Sequence, residues 1–359
     1  MQIQIQTFTV HKRFPLTISR GTTAESNNIL VKIQQEGIEG WGEASPFSAG
    51  KKPQTTKILQ QTLEQLTPTL KKFTPLDRQQ IEQVLIELEI PSAARAAIDM
   101  ALHDWVGKKV GLPLWRLWGL ERNHIVPISV TIGISTPETA KQRVRNWLKF
   151  IDARVLKVKL GSPEGIEADQ AMLMAVKEEA PADALLYVDA NGGWSLEDAV
   201  KMCDWLATVG VIYVEQPLAA VSAIADLPHL YSRSPLPIFV DESCFTAKDI
   251  PILAEMVHGI NIKLMKSGGL TEAMRMVYVA KACGLKVMFG CYSDSCLANT
   301  AAAQLAPLAD YLDLDSHLNL IDDPFIGAAM EKGRLLPNGL PGLGVCLNDG
   351  MISNPVKQL

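Results

Sequence analysis

The stretch LLYVDANGGW, residues 185–194, is an apolar run that stops at Asp189 and Asn191 and breaks on Gly192 and Gly193. A short buried strand followed by a loop has this pattern. The same grammar recurs on both sides: 155–160 (VLKVKL) upstream, then 211–217 (VIYVEQP), 238–243 (IFVDES) and 260–269 (INIKLMKSGG) downstream. Polar ends at Thr131, Cys291 and Asp313/Asp315 bring the number of candidate strands to eight. Successive ends lie about 22–30 residues apart, the length of one βα unit. The segments 136–150, 196–209 and 270–283 between them are long enough for helices. Eight such units in sequence predict an α/β protein built on a (β/α)-barrel, a modified TIM barrel, rather than a doubly wound open sheet.

The chain before the barrel reads differently. Ile3 and Ile5, then Ile29, Val31 and Ile33, alternate with polar residues, and Glu36-Gly37 marks a turn before 38–43. That is a β-meander. Leu59, Leu63 and Leu66 then share one helix face, with an end expected near Pro68. Ala94, Ala97, Ala101 and Trp105 share another, with Ser92 as the expected N-cap. Strands followed by helices predict an α+β lobe. The expected division is an α+β capping domain over 1–122, the barrel over 123–320, and a Gly- and Pro-rich tail over 321–359 that returns to complete the cap.

Composition narrows the class. With 359 residues, 47% hydrophobic and 20% charged, the chain reads as globular. A net charge of -5 gives no nucleic-acid footprint. No apolar run approaches the ~20 residues of a membrane helix, and the opening MQIQIQTFTV has no signal-peptide core. The six cysteines lack zinc-type spacing, so free thiols and a cytoplasmic location are expected.

The chemistry concentrates at the strand ends. Residues two apart on a strand share a face. Lys157 with Lys159, Asp189 with Asn191, and Asp313 with Asp315 are therefore expected to point together into the barrel mouth. One KxK alone reads as a solvated strand end, and one Asp as a helix N-cap. Three such pairs at the same end of the βα units outweigh that reading. Asp189, Glu215 and Asp241 close three successive strands and would repel one another without a cation. Mg²⁺ takes such oxygens and keeps positions for water or substrate. Asn191 would orient Asp189 from behind.

Lys159 precedes the three carboxylates and Lys263 follows them. Lysine titrates ordinarily near ~10.4. Burial and a neighbouring cation disfavour its charged form, so Lys159, beside Lys157 and Mg²⁺, is expected to accept a proton near neutral pH. A carbon next to a carboxylate can then lose its proton if the developing charge is stabilised. The six histidines read as structural or surface groups.

At these residues the sequence resembles the enolase superfamily, in its muconate-lactonizing subgroup, over nearly the whole chain. The motifs are KVK at 157–159, VDANGGW at 188–194, VEQP at 214–217, DES at 241–243 and NIKLMKSGG at 261–269. The resemblance implies Asp189, Glu215 and Asp241 as Mg²⁺ ligands. It implies Lys159 and Lys263 as an acid/base pair on opposite faces of the substrate, Lys157 at the substrate carboxylate, and Lys266 as structural. The LDLD at 312–315 resembles the DxD motif of dipeptide epimerases, in which two aspartates hold the substrate ammonium, and charge-assisted hydrogen bonds suit that task. Thr131 and Cys291 match positions that line the dipeptide.

Epimerases acting on Ala-Glu carry an arginine in the loop after the first strand. Here 18–25 reads ISRGTTAE, with Arg20 present as a substrate-binding candidate but Thr23 at the specificity position. A polar or hydrophobic second residue matches at least as well as an acidic one. Ser293-Asp294-Ser295 can reach that side chain, with Asp294 read first as a helix cap. Loops around Arg20 and 49–52 are expected to close over the site. The implied protein is a Mg²⁺-dependent epimerase of L,L-dipeptides, with a small-molecule substrate, no nucleic-acid or membrane partner, and homo-oligomeric assembly. An o-succinylbenzoate synthase, an N-acylamino acid racemase or a cycloisomerase on the same scaffold is the alternative. A non-catalytic binding protein would not need two opposed lysines.

Overall fold

A computed structural model describes residues 1–49 and 53–348. Strands β1 (Gln2–Ile18), β2 (Gly21–Gln35) and β3 (Ile38–Ala44) form an antiparallel sheet in that order. Glu36 (φ 54) and Gly37 (φ 74) are both left-handed, the geometry a two-residue hairpin between twisted strands requires. Ile29, Val31 and Ile33 face inward and are fully or almost fully buried. Helices α1 (Thr56–Leu70), α2 (Arg78–Glu87) and α3 (Ser92–Val110) follow. Contact between β3 and α3 is backbone to backbone: a Cβ on Gly40 would come 2.1 Å from the Ala101 carbonyl, and one on Gly42 1.9 Å from that of Ala97.

Two local expectations change. Helix α1 runs past Pro68 to Leu70. The bond that Pro68 cannot donate would have gone to the carbonyl of Glu64, on a turn exposed to solvent, where the loss is tolerated. Ser92 is the first helical residue, not the cap; Pro91 holds the cap position. The capping function passes to Gln54, whose Oε1 accepts from Ala93 N at 2.9 Å and whose Nε2 donates to Ser92 Oγ at 2.9 Å.

After the short helix α4 (Leu114–Leu117) come eight parallel strands: β4 (Val130–Ile132), β5 (Val155–Lys159), β6 (Leu185–Asp189), β7 (Val211–Glu215), β8 (Ile238–Val240), β9 (Gly259–Lys263), β10 (Lys286–Gly290) and β11 (Tyr311–Asp313). They pair in sequence order. The seam between the first and last is joined where Ser129 N donates to Leu312 O at 2.8 Å. Between and after them lie α5 (Pro137–Phe150), α6 (Ile166–Glu179), α7 (Leu196–Thr208), α8 (Ala220–Arg233), α9 (Ile250–Leu253), α10 (Leu264–Ser267), α11 (Leu270–Ala282) and α12 (Cys296–Ala303). The result is the barrel read from the sequence.

Val155, Tyr187, Tyr213, Phe239 and Met288 form a small apolar cluster separate from the main core. Its rings pack at centroid distances of 4.5 Å (Tyr187–Tyr213) and 4.7 Å (Tyr213–Phe239). Lys157 Nζ reaches Met288 Sδ at 4.0 Å, so the charged residues begin directly against this plug. The chain after Leu320 meets the N-terminal sheet and α3. His11 N donates to Asp322 Oδ1 at 2.7 Å, Phe325 packs edge-on to Phe8 at 5.4 Å, and Leu343 N donates to Asp104 Oδ1 at 2.8 Å. Among the described residues, no helix is long and apolar enough to cross a membrane.

Candidate active site

Strand order fixes the layout of the charged residues. Lys159 ends β5 and Lys263 ends β9, four strands apart in a ring of eight, so they stand on opposite sides of the mouth. Asp189 ends β6 and Glu215 ends β7, in register with each other, and Asp241 directly follows β8. The three carboxylates therefore fill the arc between the two lysines. All three are fully buried, and each lysine is about 6% exposed.

Each carboxylate has an ammonium beside it. Lys159 Nζ lies 2.6 Å from Asp189 Oδ2 and Lys263 Nζ 2.7 Å from Asp241 Oδ2. Burial works against the charge on Lys263, but Asp241 more than offsets it and holds the ammonium well above its usual value. Burial likewise raises Asp241, and Lys263 with Lys266 overcome it to leave the carboxyl well below the ordinary range. Lys266 Nζ donates to Asp241 Oδ1 at 2.6 Å, Asp241 O at 2.5 Å and Asn261 O at 2.9 Å, a structural role as expected. Glu215 differs: burial and then the Asp189 charge raise its carboxyl, to about 7, although Lys157 is near.

Among the described residues, no three His, Cys, Asp or Glu side chains stand in an arrangement that would hold a metal ion. The donor set nevertheless suits a hard divalent cation: three carboxylates on neighbouring strand ends with buried oxygens to spare. Glu215 Oε2 and Asp241 Oδ2 have ion-pair neighbours but no aligned hydrogen bond, and Glu242 Oε2 and Asn191 Oδ1 also lack one.

Strand alternation accounts for the shared face of Lys157 and Lys159 but not for the placement of the other two pairs. Strand β6 ends at Asp189, and Asn191 is left-handed (φ 45), so the turn and not strand alternation places it. Its backbone N donates to Asp189 Oδ1 at 2.8 Å and its Nδ2 to Asp189 Oδ2 at 3.2 Å, which orients that carboxylate. Strand β11 ends at Asp313, and Asp315 lies in a helical turn (φ -100, ψ -6). Asp315 Oδ2 accepts from Thr131 N at 2.7 Å. Burial, then Asp313, raise the Asp315 carboxyl to about 6.

Lys157, expected at a substrate carboxylate, is fully enclosed. Its Nζ sits 2.5 Å from Asp313 Oδ2, 2.6 Å from Glu215 Oε2 and 3.8 Å from Asp189 Oδ2. Ser129 Oγ donates to Asp313 Oδ1 at 2.8 Å. Asp313 thus already holds a cation, that of Lys157, because the strand periodicity carries both side chains below the mouth.

A cavity of about 540 Å³ opens between cap and barrel, walled by Arg20, Lys159, Asn191, Lys263, Cys291 and Tyr292 among others. Thr131, Lys157, Asp313 and Asp315 are not among its walls. Cap residues Leu16, Ile18, Thr23, Pro46, Phe47 and Ala49 close it from above. The expected closing loop 49–52 lies outside the described residues beyond Ala49. Arg20 is spoken for: its Nη1 donates to Asn191 O at 2.9 Å and its Nη2 to Glu242 Oε1 at 2.6 Å. It latches the cap to the barrel mouth.

Asp294 does not cap the following helix. Ser295 does, its Oγ accepting from Leu297 N at 3.1 Å. Support comes from Glu43 of the cap sheet, whose oxygens accept from Ser295 N (2.9 Å) and Ala298 N (3.2 Å). Sequence reading missed Glu43, Glu242, Tyr292 and Asn261. Asn261 was within reach: it lies two residues before Lys263 on β9, and its Nδ2 donates to Glu215 Oε1 at 2.7 Å. Glu43 carried no sequence signal, because its partner helix lies some 250 residues away.

An eight-stranded barrel with acidic strand ends between two opposed lysines, under an α+β cap, defines an enolase-type architecture. Residues 2–119 match the mandelate racemase/muconate lactonizing enzyme N-terminal domain, and residues 138–351 the enolase C-terminal domain-like family. The chain belongs to the mandelate racemase/muconate lactonizing group of the enolase superfamily. It is 46% identical to a hydrophobic dipeptide epimerase of Roseobacter litoralis, covering 97% of this chain and 99% of the relative. It is 36% identical to an L-Ala-D/L-Glu epimerase of Bacteroides thetaiotaomicron, covering 92% and 82%. A dipeptide epimerase of Enterococcus faecalis, in complex with Mg and L-Leu-L-Tyr, superposes with a TM-score of 0.88 at 31% identity, covering 96% and 98%.

Proposed function

We propose that the protein is a Mg²⁺-dependent dipeptide epimerase acting on L,L-dipeptides whose second residue is apolar. The observation that carries this reading is the placement of Lys159 and Lys263 on opposite sides of one cavity, with three carboxylates in the arc between them. Two-base inversion needs that arrangement: one lysine takes the α-proton from one face, the other returns a proton to the opposite face, and the reverse reaction exchanges their roles. Asp189, Glu215 and Asp241 would hold Mg²⁺, which supplies positive charge to the substrate carboxylate as negative charge develops there. Asn191 and Asn261 orient Asp189 and Glu215. Lys157 neutralises Glu215 and Asp313 from below, and Lys266 fixes Asp241.

The resemblance places the substrate ammonium at Asp315, which lies behind the cavity wall near Cys291 and is joined to Thr131 N, while Asp313 is engaged by Lys157. The apolar preference is supported by Leu16, Ile18, Pro46 and Phe47 in the cavity wall. It is supported too by the engagement of Arg20 with Glu242, which leaves that guanidinium unavailable to an acidic side chain. The name of the Roseobacter relative points the same way. Free cysteines support a cytoplasmic location, and self-association is expected from the family.

The test is a screen of L,L-dipeptides with the purified protein and Mg²⁺ in D₂O, read by mass spectrometry. A gain of one mass unit confined to dipeptides with apolar second residues is expected. Exchange only with Glu or Asp there would overturn the specificity, and no exchange with any dipeptide would overturn the function.

A further inference from the structure

Lys263 and Lys159 are not held alike. Lys159 Nζ has its ion pair with Asp189. Lys263 Nζ has the equivalent pair with Asp241, and also lies 4.5 Å from the centroid of the Tyr292 ring, within cation–π range. Among the described residues no aromatic ring lies over Lys159.

The ring is itself held from the cap. Phe47 stacks on Tyr292 with centroids 4.6 Å apart and planes 8° from parallel. Phe47 is in turn fixed by two backbone hydrogen bonds, Phe47 N to Gln54 O at 3.1 Å and Gln54 N to Phe47 O at 2.8 Å. Gln54 is the residue that caps α3, so this part of the cap loop is anchored to the lobe's long helix. On the barrel side, Tyr292 N donates to Asp294 Oδ2 at 3.2 Å. The Tyr292 hydroxyl is buried and has no hydrogen-bond partner. The contact that Tyr292 makes with Lys263 is through its ring face.

Resting on the two-lysine reading above, we propose that Tyr292 is a positioning residue for Lys263. Its ring, clamped by Phe47 of the cap, fixes the lysine amine for proton transfer on one face of the substrate only. A lysine side chain has a flexible four-carbon stem. One ion pair leaves the amine free to swing about the carboxylate, and a ring face on a second side removes that freedom. Proton transfer requires the amine within hydrogen-bond reach of the α-carbon proton, so placement controls rate.

Epimerisation itself does not separate the two faces, because forward and reverse rates share one equilibrium constant. Single-lysine variants do. With Lys159→Ala, only the face served by Lys263 can exchange its α-proton with D₂O, and with Lys263→Ala only the other. Tyr292→Leu is added to each, and exchange of the matching epimer of one apolar dipeptide is followed by mass spectrometry with Mg²⁺ present. In the Lys159→Ala background the expected loss is about tenfold to a hundredfold, the scale for a misplaced reacting group. In the Lys263→Ala background the loss should be much smaller. Tyr292→Phe, which keeps the ring, should restore most of the exchange that Tyr292→Leu loses in the Lys159→Ala background.

Equal losses in both backgrounds would assign Tyr292 to structure alone and overturn the proposal. So would no loss in either, or a Tyr292→Phe loss as large as that of Tyr292→Leu. Should Tyr292→Leu fail to fold, Phe47→Leu removes the clamp from the cap side and is judged by the same comparison. If both single-lysine proteins are silent while the wild type epimerises, the two-lysine reading itself fails, a result separate from these.

Discussion

Lys157 is fully buried among three carboxylates, and Lys157→Met is the variant that exposes its energetic role. Methionine nearly matches the volume and removes only the charge. In the wild type the ammonium is fully buried, 2.5 Å from Asp313 and 2.6 Å from Glu215. Removing one partner of a buried pair costs about 3–5 kcal/mol, because the charge left behind has no water. Both carboxylates lose their nearest cation at once, so the upper part of that range is expected. The assay is urea unfolding, comparing midpoints at a constant slope.

A second substitution separates this account from simple loss of packing. Asp313→Asn alone should destabilise, since it strands part of the Lys157 charge. Added to Lys157→Met it should recover stability, because it removes a carboxylate that no longer has a partner. The coupling expected between contacting residues of one network is about 1–3 kcal/mol. A Lys157→Met loss under about 1 kcal/mol, or strict additivity of the two substitutions, would refute the reasoning.

Three other substitutions probe the cap and its junction with the barrel. The Glu43 carboxyl is raised, to about 7, by burial first and then by Asp294, against the donors of Ser295. A carboxyl raised in the fold lends stability that is complete below its ordinary value and lost as pH climbs through about 7. Glu43→Gln, which cannot ionise, should therefore narrow its stability deficit between about pH 5 and pH 8. A deficit that widens instead would mean the converging donors win over burial. Gly42→Ala should cost about 1–3 kcal/mol or more in thermal unfolding, because its Cβ would meet the Ala97 carbonyl at 1.9 Å. A variant as stable as wild type would contradict that packing. Arg20→Met should cost about 1–3 kcal/mol, because Glu242, only 8% exposed, loses its cation, and it should lower kcat/KM by releasing the latch on Glu242. Unchanged kinetics would remove Arg20 from the site.

The barrel was legible because its strands repeat one pattern, apolar then charged, at a regular spacing. The charged ends gave the lysines and carboxylates for the same reason. What failed were inferences that ran strand periodicity past the strand. Asn191 and Asp315 lie beyond the last paired residue, where the chain has already turned into its βα loop. Their positions follow from a left-handed residue and a helical turn, which a two-residue repeat does not encode. Lys157 was placed on the correct face, but its depth depends on the aromatic plug beneath it. Contacts between cap and barrel, such as Glu43 on the α12 terminus and Phe47 on Tyr292, join residues more than 200 positions apart. No local pattern marks them. Pro68 and Ser92 show the smaller limit: a proline on an exposed last turn is tolerated, and Gln54 takes over a cap from a distance.

The most direct test of two opposed lysines is the isotope content of the first product formed. The protein is given Mg²⁺ and an L,L-dipeptide with an apolar second residue in D₂O, and L,D-product is analysed at low conversion. The account predicts deuterium at the inverted α-carbon of essentially every product molecule, because the lysine that returns a proton is not the one that removed it. Product that keeps the substrate's own hydrogen at that carbon would show one base serving both faces, and would contradict the assignment of Lys159 and Lys263.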